Sequence, residues 1–340
     1  LILQFASIIM TTKVRIFYFC RMKFRTEIEI APLADRIGYQ HRLLAIGSCF
    51  AEHIAAKLTE AKFRITTNPT GILFNPLSIA EALHSYAKCE PVRREELQYD
   101  GELWFHYGFH GSFADTDAAR ALERMNTGRK VGAAALETAD FLLLTFGTAW
   151  VYERNGRPVA NCHRQPASEF IRRRLTVEEI VAAFGLLFDG SLANKRILLT
   201  VSPVRHIGDG LAENALSKAI LRVAAAEMEA RHANVHYFPA YEIVTDDLRD
   251  YRFYADDLAH PAPQAVEYIW EKFTAAALDD EARHLLPEIE ALVTAAHHRS
   301  RNPHSEAHRE FCRKCLARIA ALPANIDFTE EKRDFEHYAD

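Results

Sequence analysis

Cysteine is sparse in this chain: six residues (Cys20, Cys49, Cys89, Cys162, Cys312 and Cys315) are scattered over 340 positions. That spacing excludes the dense disulfide framework of a small secreted fold and makes a reducing, cytoplasmic setting the default. No run approaches the ~20 consecutive apolar residues a membrane helix needs, so no membrane partner is expected. Positive charge is not in excess: 41 Lys and Arg against 46 Asp and Glu leave a net charge of −5. Nucleic acid is therefore not an expected partner. Neither a Walker loop nor a Gly-x-Gly-x-x-Gly word occurs, and no nucleotide cofactor is expected. Cys312 and Cys315 form a lone Cys-x-x-Cys near His304 and His308. A structural zinc site wants four ligands at matched spacing, so the two sulfurs are read as one core face of a helix, with no metal. Internal repeats and low-complexity segments are also missing.

What is present is ordinary core material, 49% apolar and 26% charged. Residues 1–21 carry an apolar patch ahead of the charges, the reverse of a signal peptide, and "MKFRTEIEI" follows from Met22. This leader is read as a start-site artefact, a flexible arm or an added edge strand. Five short apolar runs predict buried strands: Arg42–Gly47, Phe63–Thr67, Asp140–Phe146, Arg196–Val201 and Asn234–Phe238. Helical spacing lies between them, over Phe50–Thr59, Leu175–Phe188 and Leu211–His232, and "TVEE" offers a capping box from Thr176 to Glu179. Strand alternating with helix implies a three-layer α/β sandwich around a flavodoxin-like parallel sheet. "NPTGILFNP" reads as a structured loop after the second strand, and Pro91–Asp117 as a hairpin-like insertion over the sheet's edge. Beyond Phe273 the pattern is helical and charge-rich. The expected division is a leader (1–21), an α/β domain (22–275) and a helical tail packed on it (276–340).

In "RLLAIGSCFAEHIAAKL" a strand hands over to a helix at Ser48. Ligands of such sheets gather at the carboxyl ends of strands, and a helix N-terminus there offers unpaired N–H groups to an anion. Ser48 is then either an N-cap or a nucleophile that needs a base. Of sixteen histidines, His260 stands out. Asp257 precedes it by three residues in "ADDLAHP", close enough on one turn to accept the proton of one ring nitrogen and leave the other as a base. The bland reading of that stretch is a capped turn before a Pro-opened helix. Arg205 and His206 follow the fourth strand and should face the same crevice, as an anionic or hydroxyl-rich substrate clamp or as a salt-bridged loop. Cys49 is a rival nucleophile at a helix N-terminus, but beside Ser48 it should point into the helix–sheet packing.

Several longer words go further. "GSCFAEHIAAKL", "NPTGILFNP", "TFGTAWVYE", "VANCHRQP", "TVSPVRHIGDGLAENALSKAIL" and "YFPAYEIVTDDLRDYRFYADDLAHP" closely resemble the GSCFA family, grouped with the SGNH (GDSL-like) hydrolases. The likeness runs from about Lys23 to Phe273, with "HHRSRNPHSEAHREF" continuing it into the tail. It implies Ser48 as nucleophile, His260 as base and Asp257 as the group that orients it. Gly71 falls where the second-block glycine lends an N–H to the oxyanion. Gly147 and Thr148 fall in the third block, where "GTAW" lacks the usual asparagine. Asn75, Asn161, Arg205 and His206 are candidate substitutes for that donor, and His163 and His110 are candidates for the rim. Trp150 and Tyr254 are read as core or wall. The resemblance implies a serine esterase acting on an O-acyl group, acetyl being one case, of a carbohydrate-like or small-molecule ester. An O-acyltransferase, or a ligand-binding protein without turnover, are the alternatives. The oligomeric state is left open.

Overall fold

The computed structural model describes residues 25–339, so the leader expectation lies outside the described residues. Five parallel strands form the central sheet: β1 (Arg42–Gly47), β2 (Arg64–Thr67), β5 (Phe141–Phe146), β9 (Arg196–Val201) and β10 (Val235–Tyr237). Their spatial order is β2-β1-β5-β9-β10. Renumbered along the chain that order is 2-1-3-4-5, the flavodoxin-like arrangement expected from the sequence. Register is continuous from Leu43 beside Phe141 and Ile197 beside Leu142, so the β1, β5 and β9 ends align.

The strands are apolar on both faces because both faces are covered. Leu43, Ala45, Phe141, Leu143 and Leu198 point to one side, where they meet α1 (Cys49–Glu60) and α6 (Pro263–Ala277). Leu44, Ile46, Leu142, Leu144 and Leu199 point to the other, against α2 (Pro76–Lys88), α3 (Ala118–Thr138), α4 (Val177–Phe188) and α5 (Leu211–Arg231). The chain leaves β1 toward one face and β5 toward the other. The topological switch point therefore opens between the carboxyl ends of β1 and β5. The capping box forms as read: the Glu179 N–H donates to Thr176 Oγ1 at 3.2 Å, and the Thr176 N–H to Glu179 Oε2 at 2.8 Å.

The insertion contains a two-stranded antiparallel ribbon, β3 (Gln98–Tyr99) with β4 (Trp104–Phe105), and packs through Phe109 on Met125 of α3. A second small sheet was not anticipated. β6 (Trp150–Arg154) pairs antiparallel with β7 (Arg157–Val159) and β8 (Ile171–Arg174), and it stands beside the switch point. The tail is helical as expected: α7 (Asp280–His297), α8 (Glu306–Ala320) and α9 (Thr329–Ala339). Its apolar residues, Leu286, Leu292, Cys312, Cys315 and Phe335, belong to the same core cluster as the α1 side of the sheet. None of the described helices is long and apolar enough to cross a membrane. No His, Cys, Asp or Glu group among the described residues is arranged to hold a metal.

Candidate active site

Asp257 and His260 sit on one tight turn ahead of α6. Asp257 Oδ1 accepts the N–H groups of Ala259 (2.9 Å) and His260 (3.0 Å), and Oδ2 accepts His260 Nδ1–H at 2.6 Å. A carboxylate facing Nδ1 places the proton there and leaves Nε2 as an acceptor. The donated bonds, the backbone N–H of His260 foremost, hold the Asp257 carboxyl down at about 2. The turn is anchored from outside by the Arg205 N–H, which donates to the Ala259 carbonyl at 3.0 Å.

His260 lines an open cavity of about 590 Å³ whose wall also carries Cys49, Asn75, Thr148, Asn161, Arg205 and His206. The cavity lies at the switch point, between the β1 and β5 ends and the small sheet. Ser48 lies just beneath it, 1% exposed, at the N-terminus of α1. The hydroxyl does not cap the helix. Oγ is buried and has no hydrogen-bond partner, the His260 ring included. A buried hydroxyl without a partner costs on the order of 1–3 kcal/mol, an expense that points to use rather than to structure.

Several expectations need correction. The Ser48 N–H continues the ladder to the Thr145 carbonyl (3.2 Å), and the Gly71 N–H donates to the Asn68 carbonyl (2.8 Å), so neither is free for an oxyanion. Gly71 is there for its backbone: φ is +86°, and a Cβ would stand 2.2 Å from that of His110. His110 is spent on that contact and on the Ser112 N–H, which it accepts at 3.2 Å, and it does not line the cavity. His163 turns away as well, with Nε2 3.0 Å from the His106 carbonyl and the ring stacked on Phe105. Asn75 faces the cavity, but its side chain caps α2, accepting the Ser78 N–H at 2.9 Å. Cys49 departs from expectation in the other direction. It packs on the core but also lines the cavity. Burial pushes its thiol up, away from the thiolate.

The donors left over among the described residues lie at the α1 N-terminus, on the Asn75 N–H and on the Asn161 amide. Among the described residues the N–H groups of Cys49 and Phe50 have no carbonyl partner, and both face the Cys49 sulfur at the cavity wall. Asn161 keeps its amide hydrogens, since only its Oδ1 is used, accepting the His163 N–H at 2.7 Å. Charge at the wall comes from Arg205. Its guanidinium stacks 3.7 Å from the Tyr254 ring centroid, and no carboxylate pairs with it among the described residues. Arg172 is paired with Asp209 and lies over the Trp150 ring. His206 brings no charge: burial, then Lys218, pulls it down to about 4. Phe74, Tyr152 and Arg172 also stand in the wall, and the sequence did not point to them; two of the three belong to the unanticipated sheet. Its one sequence signal was Asn155-Gly156, whose φ values of 52° and 71° close the β6–β7 hairpin.

The GSCFA family profile matches residues 42–273, and that of the GSCFA domain protein, C-terminal domain, matches residues 289–339. No curated protein matches the chain. Among solved structures the chain is similar to a carbohydrate esterase family 3 protein from Talaromyces cellulolyticus. The identity is 9%, coverage is 75% of this chain and 99% of that one, and the TM-score is 0.32, too slight a likeness to transfer a reaction.

Proposed function

Because this chain belongs to the GSCFA family, and its cavity pairs an ionised aspartate with a histidine beside an unpartnered serine, we propose that it is a serine-dependent esterase acting through an acyl-enzyme. The observation that carries the reading is the Asp257–His260 bond of 2.6 Å at the wall of the cavity over Ser48. Ser48 turns its hydroxyl into the cavity, and His260 Nε2 removes the proton as Oγ attacks the ester carbonyl. The carbonyl oxygen gains the charge and is held by the α1 N-terminal N–H groups of Cys49 and Phe50 and by the helix dipole. The protonated His260 returns its proton to the leaving alkoxide. Water, activated by the same ring, then releases the acid. A sugar hydroxyl in place of water would make the protein an O-acyltransferase. Acetylated carbohydrates and small acetyl esters are the substrates to try first. That choice rests on the family likeness alone.

A second reading draws on Cys49, which lines the cavity while Ser48 does not. Its raised pKa argues against it. A fluorophosphonate probe with peptide mapping separates the two. Wild type and Cys49→Ser should label at Ser48, and Ser48→Ala and His260→Ala should not. Label on Cys49, or none on a folded wild type that still binds acetylated sugars, would replace the serine reading with the thiol or the non-catalytic binder.

A further inference from the structure

Lys218 is 1% exposed, in the middle of α5. Its ammonium group donates to the Gly147 carbonyl at 2.6 Å and to the Ser202 carbonyl at 2.7 Å. Those carbonyls lie just past the carboxyl ends of β5 and β9. Among the described residues no carboxylate pairs with Lys218, and its third N–H has no acceptor. The groups that face it are Cys49 on α1, His206 on the loop after β9 and the Tyr241 ring, 6.0 Å away, after β10. An uncompensated buried ammonium is expensive, and two neutral carbonyls are a poor return if the role were packing alone.

The peptide groups it holds run toward the cavity. The Gly147 carbonyl shares its peptide with the Thr148 N–H, which donates to the Phe74 carbonyl at 3.0 Å. That carbonyl in turn shares its peptide with the N–H of Asn75. Asn75 lines the cavity, and its N–H has no acceptor among the described residues. Hydrogen-bonded peptides aligned behind a cation polarise one another, so the last N–H in the row is the strengthened one. Gly147 also abuts Ser48: a Cβ on it would lie 3.3 Å from that of Ser48.

We propose that Lys218 is a buried cationic positioning residue for the acyl-transfer site. It braces the Ser48–Gly147 junction and sets a positive charge behind the oxyanion, through the Gly147, Thr148, Phe74 and Asn75 peptides. This does the work of the third-block asparagine that the sequence lacks. The inference rests on the serine reading and deepens it. Burial pulls Lys218 down to about 7, so its charge is lost in the range where activity is measured. Activity should fall on the alkaline side as that proton leaves.

The test starts from wild type labelled at Ser48 by fluorophosphonate; absence of that label removes the serine reading and this inference together. Lys218→Met should then lower kcat for p-nitrophenyl acetate on the order of 10²-fold, the usual cost of lost oxyanion stabilisation, with KM little changed. Its rate should no longer fall on the alkaline side. Lys218→Arg, which keeps a charge, should recover most of the rate and hold it to higher pH. A Lys218→Met enzyme within ~3-fold of wild type, or one slowed with the wild-type pH profile intact, overturns the inference and leaves the serine reading standing. If Lys218→Met does not fold, wild type with ¹³C-labelled lysine decides. A boronic acid adduct on Ser48 carries a negative charge at the oxyanion position and should move the Lys218 titration to higher pH. An unmoved titration sinks the proposal.

Discussion

Asp257 shows how much a single side chain can be asked to do. Three donated bonds hold its carboxyl at about 2, so it stays ionised well above that pH. No limb of the rate profile between about pH 4 and 8 should belong to it. The linkage has a definite sign. A carboxyl depressed in the folded state contributes stability above its ordinary range, and that contribution fades as pH falls toward 2. Asp257→Asn should lose that pH dependence and drop kcat by roughly 10³–10⁴-fold, because an amide can present the wrong hydrogen-bonding edge to His260. Stopped-flow rates and acid-unfolding curves on the two proteins check both halves. Arg205 makes a narrower statement. With its face covered by Tyr254 and no carboxylate partner among the described residues, its edge is free for an anion. Arg205→Met should raise KM for p-nitrophenyl hemisuccinate about tenfold or more while leaving the acetate ester nearly unchanged. Equal effects on both esters would mean that the Arg205 side chain serves the wall by stacking on Tyr254 and does not hold an anionic group of the substrate.

At the scale of elements, the loop after β2 is the place where backbone geometry decides. Gly71 combines a left-handed φ with a missing Cβ that His110 would otherwise meet. Gly71→Ala should therefore cost on the order of 1–3 kcal/mol in urea unfolding and should disturb the cavity wall built by Phe74 and Asn75. The five core strands were legible because each is an apolar run wedged between helical patterns, and observed bounds differ from expected ones by at most a residue or so at each end. The Asp257–His260 pair was legible because both partners lie on one turn. β6, β7 and β8 were not: their faces are mixed, with Arg172, Arg173 and Arg174 on β8, and they lack the apolar signature by which the core strands were found. Lys218 was hidden for the opposite reason. A lysine in an amphipathic helix reads as a solvent position, and only the fold turns it against the carboxyl ends of β5 and β9. The engaged N–H of Ser48 depends on register with β5, which a local motif does not encode, whereas that of Gly71 closes a turn onto Asn68 three residues back.

Across the whole molecule, the tail helices and the sheet share one core, so the question is whether they also share one stability. Two polar contacts join them at the end of α1. Lys62 Nζ meets Glu331 Oε1 at 2.5 Å, with the side chains only 15% and 7% exposed, and Arg64 donates to the Asn325 carbonyl at 3.0 Å. At the other end, the Asp279 N–H donates to the Ile37 carbonyl at 2.9 Å, ahead of α7. Removing the half-buried lysine strands the buried carboxylate of Glu331. Lys62→Met should cost about 3–5 kcal/mol, whereas Lys62→Met with Glu331→Leu should regain most of it, because an apolar pair needs no desolvation. If the tail and sheet form one cooperative unit, thermal melts followed by far-UV circular dichroism and by fluorophosphonate labelling of Ser48 should shift together in the single variant. A tail that melts first while Ser48 still labels at the wild-type rate would make it a separately folding piece, and the shared core cluster would then be contact without cooperativity. The paired restoration is the sharper half of the test. A simple loss of packing would deepen with the second substitution, and only a stranded carboxylate is relieved by it.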